Sequence, residues 1–202
     1  MEVTLAQAEK LVIDVQVAHR LIVAYYEGLL ARLDSVSKEL DLDFWYWEPL
    51  ETSRPCRSST QPSRNWSWDM VPLYAATHIY KRNAGKKLRV GDVAICFDVY
   101  AENSFENEQR RKSGFARKAD PLKLPKGEGM VTVEVYRCIS NSNEVWDDAW
   151  HDTGAPDSKQ DHWQDVGHGF MSRSIQIKLA ELIHRPEVLL SSLRGLLAEV
   201  IP

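Results

Sequence analysis

The chain has 202 residues, of which 44% are hydrophobic and 27% are charged, and this composition is typical of a folded globular protein rather than a disordered one. Its formal net charge of −4 excludes the overall basic balance that many nucleic-acid-binding proteins show. The length suits a single domain over residues 1–202, and the absence of any run of about 18 apolar residues predicts no membrane span.

Residues 1–40 predict one long helix. Thr4 and Gln7 have capping-box spacing, in which each residue satisfies a free backbone N–H of the other. Such a helix would be roughly 54 Å long, more than a compact domain needs. It would therefore overhang, break near residues 35–37 or pair with a second copy, and we expect a homodimer through this helix. Apolar positions recur at alternating steps of three and four along one face: Leu5, Ala8, Val12, Val15, His19, Ile22, Tyr26, Leu29, Leu33, Val36 and Leu40.

Two Trp-x-Trp pairs come next, Trp45 with Trp47 and Trp66 with Trp68. In an extended chain, residues i and i+2 point the same way, so each pair would place two indoles on one face. We expect at least three of the four to be mostly buried around the start of the sheet. The alternative is an aromatic binding wall. Residues 49–65, rich in Pro, Ser and Arg, predict a loop between the pairs.

Alternating apolar and polar residues predict strands at 73–81, 93–100, 130–138 and 170–178. Residues 179–202 predict a C-terminal helix. Strands bracketed by helices indicate an α+β fold: an antiparallel sheet of about four or more strands, flanked on its valine-rich face by the long N-terminal helix and the C-terminal helix. The sheet region, 41–178, contains polar insertions at 101–129 and 139–169.

The polar side of the predicted sheet is the first candidate site. If the valine side forms the core, His78, Asp98, Glu134 and Lys178 line the opposite face. Two carboxylates, a histidine and a lysine are sufficient for a metal-dependent hydrolase or nuclease. The nuclease pattern is incomplete, however, because Tyr136 stands where Glu-x-Lys requires lysine. A solvated sheet face with cross-strand pairs is the simpler interpretation.

The two insertions carry opposite charges. In the acidic one, His151, His162 and His168 stand among several aspartates and are alternative metal ligands. No HExxH or calcium-loop signature is present, so we expect no structural metal and no cofactor. The basic one, 110–126, could contact phosphate or nucleic acid. It could equally meet the acidic insertion or be solvated.

We interpret the chain as a cytoplasmic protein that binds another protein, without catalysis. No complete catalytic motif occurs, and Cys56, Cys96 and Cys138 form no CxxC, which suits a reducing compartment. Long polar loops rich in aromatic residues are favoured places for recognition. The predicted partner-binding residues are Arg110, Arg111, Lys112, Arg117 and Lys118 in the basic insertion, and Trp146, Trp150 and Trp163 in the acidic one.

Overall fold

The computed structural model describes residues 4–50, 73–105, 107–112, 114 and 124–201. The α+β class predicted from the sequence is confirmed. Within these residues the elements are α1 (Leu5–Glu39), β1 (Asp43–Pro49), β2 (Ala75–Arg82), β3 (Val93–Tyr100), a 3-10 turn (Asn103–Phe105), α2 (Asn107–Lys112), β4 (Met130–Cys138), α3 (Trp146–Asp152), β5 (Gln164–Gly167), β6 (Phe170–Lys178), α4 (Leu179–His184) and α5 (Pro186–Ala198).

The sheet has six antiparallel strands in the order β1-β2-β3-β4-β6-β5. Its four inner strands are those that the alternation predicts. The two edge strands were not predicted. The register of β1 shifts between Phe44 and Tyr46, which interrupts its alternation. The four residues of β5 lie within the acidic insertion and are too few for a clear period.

The valine-rich face is the main core, as the sequence predicts. Phe97 on β3 lies opposite Val133 on β4, and Val133 lies opposite Ile175 on β6, so these side chains point to the same side. Phe97 and Val133 are fully buried. The C-terminal half of α1 packs on this side together with α4 and α5, through residues such as Leu33 and Leu193.

Helix α1 is continuous, so the alternative of a break near residues 35–37 does not occur. Ser37 is completely buried in that stretch, and the helix continues through it. The predicted capping box is present: the Thr4 hydroxyl accepts from the Gln7 N–H at 3.3 Å, and the Gln7 side chain accepts from the Thr4 N–H at 2.9 Å. After α1 the chain reverses through Asp41, at a φ of 56°, and enters β1.

A second apolar cluster covers part of the other sheet face. Helix α3 lies there, with Trp146 buried against Phe170, their ring centroids 5.2 Å apart. Cys96 and Cys138 are buried in this cluster as free thiols, as expected for cysteines in apolar strands. Among the described residues, no helix is both long and apolar enough to cross a membrane.

Candidate functional site

The N-terminal part of α1, residues 5–24, projects from the fold; we call it the α1 overhang. All of its residues are exposed, including large apolar side chains such as Leu5, Val12 and Val15. Twenty residues of helix span roughly 30 Å. A shallow groove of about 540 Å³ runs along Leu5, Ala8 and Val12. Exposed apolar surface of this extent is typical of an interaction site.

The overhang continues a stripe that is buried further along the same helix. Leu29, Leu33 and Val36 are buried against the core, whereas Val15 and Ile22 on the same stripe are exposed. Helix α5 packs beside α1 but has only 13 residues, so it is much too short to follow α1 over its 35 residues. His19, on the same stripe, is exposed for the same reason.

Where the buried part of α1 meets the sheet edge there is a pocket of about 460 Å³, which we call the Asp34–His78 pocket. Asp34 comes from α1, and His78 and Tyr80 come from β2. The Tyr80 hydroxyl donates a 2.7 Å hydrogen bond to Asp34 Oδ1. The volume of the pocket lies in the range usual for small-ligand sites. The other lining residues are apolar: Leu30, Phe44, Trp47 and Leu73.

His78 is an unusual residue in this pocket, because it is both polar and only 4% exposed. Burial lowers the pKa of its imidazole to about 4, although the nearby Asp34 carboxylate acts in the opposite direction. The ring is therefore neutral at pH 7. No group within the described part of the chain forms a hydrogen bond with the ring, and the ring nitrogens are not among the fully enclosed unpaired atoms. They therefore remain accessible to a hydrogen-bonding molecule in the pocket.

The placement of His78 corrects the predicted polar site. His78 pairs with Phe97 and therefore points to the helix-covered side of the sheet. Asp98 pairs with Thr77, and Glu134 pairs with Cys96, on the opposite side. The sheet thus separates the histidine from both carboxylates, and the hydrolase site that combines all three does not form.

Lys178, the fourth residue of that site, lies at the end of β6 opposite Met130. Its ammonium is 3.5 Å from Glu128, and both side chains are largely exposed. This is the arrangement of a surface ion pair, which contributes little to stability. Lys178 is four positions along β6 from Ser174, the residue that faces Glu134, so about 13 Å of strand separates them.

Three carboxylates form a diagonal row on the face opposite the pocket: Glu48 on β1, Asp98 on β3 and Glu134 on β4. Glu48 and Asp98 lie on either side of Thr77 in the paired strands. The Tyr136 hydroxyl donates to Glu134 Oε2 at 2.6 Å. Burial raises the pKa of Asp98, and the charge of Glu48 raises it further. Burial likewise raises the pKa of Glu134 to about 7, with Asp98 adding to the effect and the hydrogen bond from Tyr136 opposing it.

The raised pKa of Glu134 predicts a specific pH dependence of stability. The folded protein keeps the Glu134 proton up to about pH 7, whereas the unfolded chain loses it near 4.5. The stability that this proton contributes is thus present below pH 4.5 and is lost as the pH rises to 7. Glu134→Gln keeps an acceptor for Tyr136 but does not titrate. As the pH rises from 4 to 8, we expect its free energy of unfolding to increase by about 1–3 kcal/mol relative to that of the wild type. Urea unfolding at both pH values measures this gain.

The titration of His78 does not affect the comparison between Glu134→Gln and the wild type. The stability that neutral His78 contributes to the folded protein is lost as the pH falls from 6.5 to about 4, because in this range only the unfolded chain takes up a proton at His78. Both proteins contain His78, so its contribution cancels in the difference. Glu187→Gln, at an exposed position on α5, serves as the control and should follow the wild type. Parallel pH curves for the wild type and Glu134→Gln would contradict the proposed environment of Glu134.

Comparison with known protein families gives a match over most of the chain. The model of the PM0109 family matches residues 6–193. The chain belongs to the PM0109 family. No curated protein matches the chain, and no solved structure does. The matched stretch includes nearly all of the α1 overhang and the whole Asp34–His78 pocket. Both features thus lie in the part of the chain that the family model covers.

The tryptophans of the acidic insertion, predicted to contact a partner, are instead packed within the fold. Trp146 is buried, and Trp150 donates its indole N–H to the Tyr46 hydroxyl at 2.9 Å. Trp163 packs against the main core and donates to Glu199 Oε2 at 2.7 Å. Indole N–H groups usually find such partners when buried, but the N–H of Trp146 has none among the described residues. These contacts connect the insertion to the rest of the fold.

The first Trp-x-Trp pair does not place both indoles on one face, contrary to our expectation. The register shift next to Trp45 turns it toward α3, where its ring lies 5.6 Å from that of Trp150. Trp47, opposite His78, faces the pocket and is partly exposed. An extra residue in a strand reverses the side to which later residues point. Trp66 and Trp68 lie outside the described residues.

The other candidate residues are spread over the surface. His151 is exposed on α3, His162 is exposed before β5, and His168 Nδ1 lies 3.2 Å from Glu144 Oε2. Among the described residues, no group of three or more His, Cys, Asp or Glu side chains is placed to hold a metal.

The basic insertion is described only in part. Arg110 is buried and has an interaction partner, Arg111 is exposed, and Lys112 pairs with Glu108 at 2.8 Å. Arg117 and Lys118 lie outside the described residues. Arg110, as a buried side chain, is not placed to contact phosphate, so the described part of this insertion offers less basic surface than its sequence suggests.

Proposed function

We propose that this protein is a non-catalytic binding protein that works as a homodimer, with the α1 overhang as its dimer interface. One observation supports the proposal most strongly: the apolar stripe of α1 continues for about 30 Å beyond the point where the described fold covers it. Leaving such a stripe in water is costly, because each large aliphatic side chain gains roughly 1.5–3 kcal/mol on full burial. The occupant that we propose is a second copy of the chain.

The spacing of the stripe favours a symmetric antiparallel pair. The exposed stripe positions are 5, 8, 12, 15, 19 and 22, and their steps of three and four read the same in both directions. An antiparallel copy therefore places Leu5 opposite Ile22, and Val12 opposite Val15. It also places Ala8 opposite His19, a small residue against a large one. A surface that matches itself in this way is what a twofold interface requires.

The proposal places self-association on the α1 overhang rather than on the insertions. The tryptophans of the acidic insertion make intramolecular contacts, whereas the overhang offers unpaired apolar surface. A dimer would present the exposed basic residues Arg111 and Lys112 twice, for a larger macromolecular partner. A reducing, cytoplasmic location is part of the proposal and is supported by the two buried free thiols.

Light scattering at micromolar concentrations tests the pairing. We expect a mass twice the 23.1 kDa of one chain. Ile22→Glu should convert the dimer to a monomer, because pairing would then bury an unpaired carboxylate in each copy. The matched control is Leu21→Glu. Leu21 neighbours Ile22 but lies off the stripe, about 100° around the helix, so this variant should remain a dimer.

Two results would contradict the proposal. A wild-type protein that stays monomeric at tens of micromolar would show that a second copy does not occupy the overhang. A dimer that dissociates with Leu21→Glu but not with Ile22→Glu would place the interface on another face. Circular dichroism of each variant checks that the core is intact, since both residues are exposed in the single chain.

A further inference from the structure

We propose that the Asp34–His78 pocket binds an organic cation: an alkylammonium or alkylguanidinium group, either as a free small molecule or as the side chain of a lysine or arginine. Four features support this ligand class: the charge of the pocket, its aromatic walls, its unpaired imidazole and its volume. The pocket is built by a single copy of the chain, so the inference does not rest on the proposed dimer.

The described lining of the pocket is negatively charged. Asp34 provides a carboxylate, and His78 remains neutral at pH 7 because of its burial. No lysine or arginine is among the described residues that line the pocket. Arg32, two residues from Asp34, is directed elsewhere and donates to the carbonyls of Ile183 and Gly28 at 2.7 Å. Among the described lining residues, an anion would therefore find no opposite charge, whereas a cation would find Asp34.

The carboxylate is held in place and keeps free acceptor capacity. Tyr80 donates to Oδ1 of Asp34, and burial and this hydrogen bond raise the pKa of Tyr80, so it remains a donor. An ionised carboxylate has about four lone-pair sites, and this bond uses one of them. A ligand N–H can thus add a charge-assisted hydrogen bond without displacing the one already present.

Aromatic rings form much of the remaining wall. The Phe44 and Tyr80 rings lie edge to face, with centroids 5.5 Å apart, and Trp47 lies opposite His78 on the neighbouring strand. Phe44 and Trp47 are 53% and 42% exposed, and both line the pocket, so a ligand there can contact their rings. Aromatic faces attract ammonium and guanidinium groups, and rings arranged around a carboxylate form a favourable site for an alkylated cation.

The neutral imidazole favours a cation with N–H groups over an apolar ligand. Neutral histidine has one acceptor nitrogen and one N–H donor, and a cationic N–H can satisfy the acceptor. An apolar molecule would leave His78 unpaired and would remove Asp34 from water without compensation. A metal ion is a poorer fit, because the pocket's described lining offers only one imidazole and one carboxylate.

Titration with a matched set of small probes tests the ligand class. The set is n-pentylammonium and n-pentylguanidinium as cations, pentanoate as an anion, and n-pentanol as a neutral molecule. Binding is followed by NMR through the indole N–H of Trp47, assigned with Trp47→Phe. We expect saturable, millimolar binding of at least one cation, and binding at least tenfold weaker for pentanoate and pentanol. Equal binding of pentanol, or no saturable binding of either cation, would overturn the inference.

Variants then locate the site. Asp34→Asn should weaken cation binding at least tenfold, whereas Tyr80→Phe, which keeps the carboxylate, should weaken it only a few-fold. The control is Asp14→Asn, which removes an exposed carboxylate from the same helix, where it pairs with Lys10; it should leave binding unchanged. Unchanged binding in Asp34→Asn, or an equal loss in Asp14→Asn, would overturn the assignment. Thermal melting confirms that each variant is folded.

The source of the cation is decided by a second comparison. A capped Gly-Lys-Gly peptide and its arginine counterpart are titrated beside the free amines. Tighter binding of a peptide indicates a side chain of a partner protein, and tighter binding of a free amine indicates a small molecule; both agree with the proposed chemistry. Ile22→Glu should bind the cation as the wild type does, so failure of the dimer and failure of this site are distinguishable.

Discussion

Val133→Asp is expected to leave the protein unfolded at room temperature. Val133 is fully buried at the centre of the sheet, between Phe97 on β3 and Ile175 on β6. A lone carboxylate there either loses its hydration or takes up a proton, at a cost of several kcal/mol in addition to the lost packing, roughly 4–8 kcal/mol in total. A domain of ordinary stability, about 5–15 kcal/mol, has little left after such a loss. Far-UV circular dichroism and urea titration measure the result.

Val90→Asp provides the matched control. Val90 lies in the turn between β2 and β3 and is 60% exposed, so the same substitution should change stability by less than about 0.5 kcal/mol. If Val133→Asp melts within a few degrees of Val90→Asp, the valine-rich face is not the main core. That outcome would also undermine the arrangement of α1, α4 and α5 on it.

Trp146→Ala is expected to destabilise the protein by about 3–5 kcal/mol, the range for removing a large buried aromatic side chain. Trp146 is 1% exposed and packs between the rings of Trp45, Trp150 and Phe170. Lys81 lies over the Trp45 ring, with its ammonium 3.6 Å from the centroid, and ion-pairs with Asp147 on α3. The substitution should therefore loosen α3 from the sheet as well as create a cavity. Urea unfolding followed by circular dichroism measures the loss.

Trp47→Ala distinguishes the two roles that tryptophan has in this fold. Trp47 is 42% exposed at the pocket, so its truncation should cost clearly less, about 1 kcal/mol, and should instead weaken cation binding. If Trp146→Ala is as stable as Trp47→Ala, the packing of α3 contributes little. That result would favour the interpretation from the sequence, in which Trp146 binds a partner.

The sequence alone determined the inner part of the sheet and the helix that precedes it. β3, β4 and β6 alternate strongly, and valines at every second position of β4 mark the buried side. The Thr4–Gln7 capping box and the regular stripe of α1 likewise depend only on local spacing. Such patterns are local, so a sequence interpretation can follow them without knowledge of distant contacts.

Only the tertiary structure decided which side of β2 faces the core. Residues 75–80 are all buried, because helices cover one side and the second apolar cluster lies on the other. The alternation of side chains shows which residues share a face with His78 in β2 and with Asp98 in β3. It cannot show how one strand is aligned with the next. The register between β2 and β3 provides this alignment: it pairs His78 with Phe97 and so places His78 on the helix-covered side. The bulge at Trp45 had the same effect on the first tryptophan pair, since one extra residue reverses the side of a strand.

The candidate sites depend on long-range geometry for the same reason. The Asp34–His78 pocket forms because the chain reverses after α1 and returns as β1 along β2, which brings Asp34 to Tyr80. No local pattern marks Asp34 as part of a site. The stripe of α1 was evident from spacing, but the point near Leu29 where its burial begins is set by the length of α5 and the width of the sheet. Local chemistry thus determined the elements, and the packing of elements distant in the chain decided which of their surfaces remain open for binding.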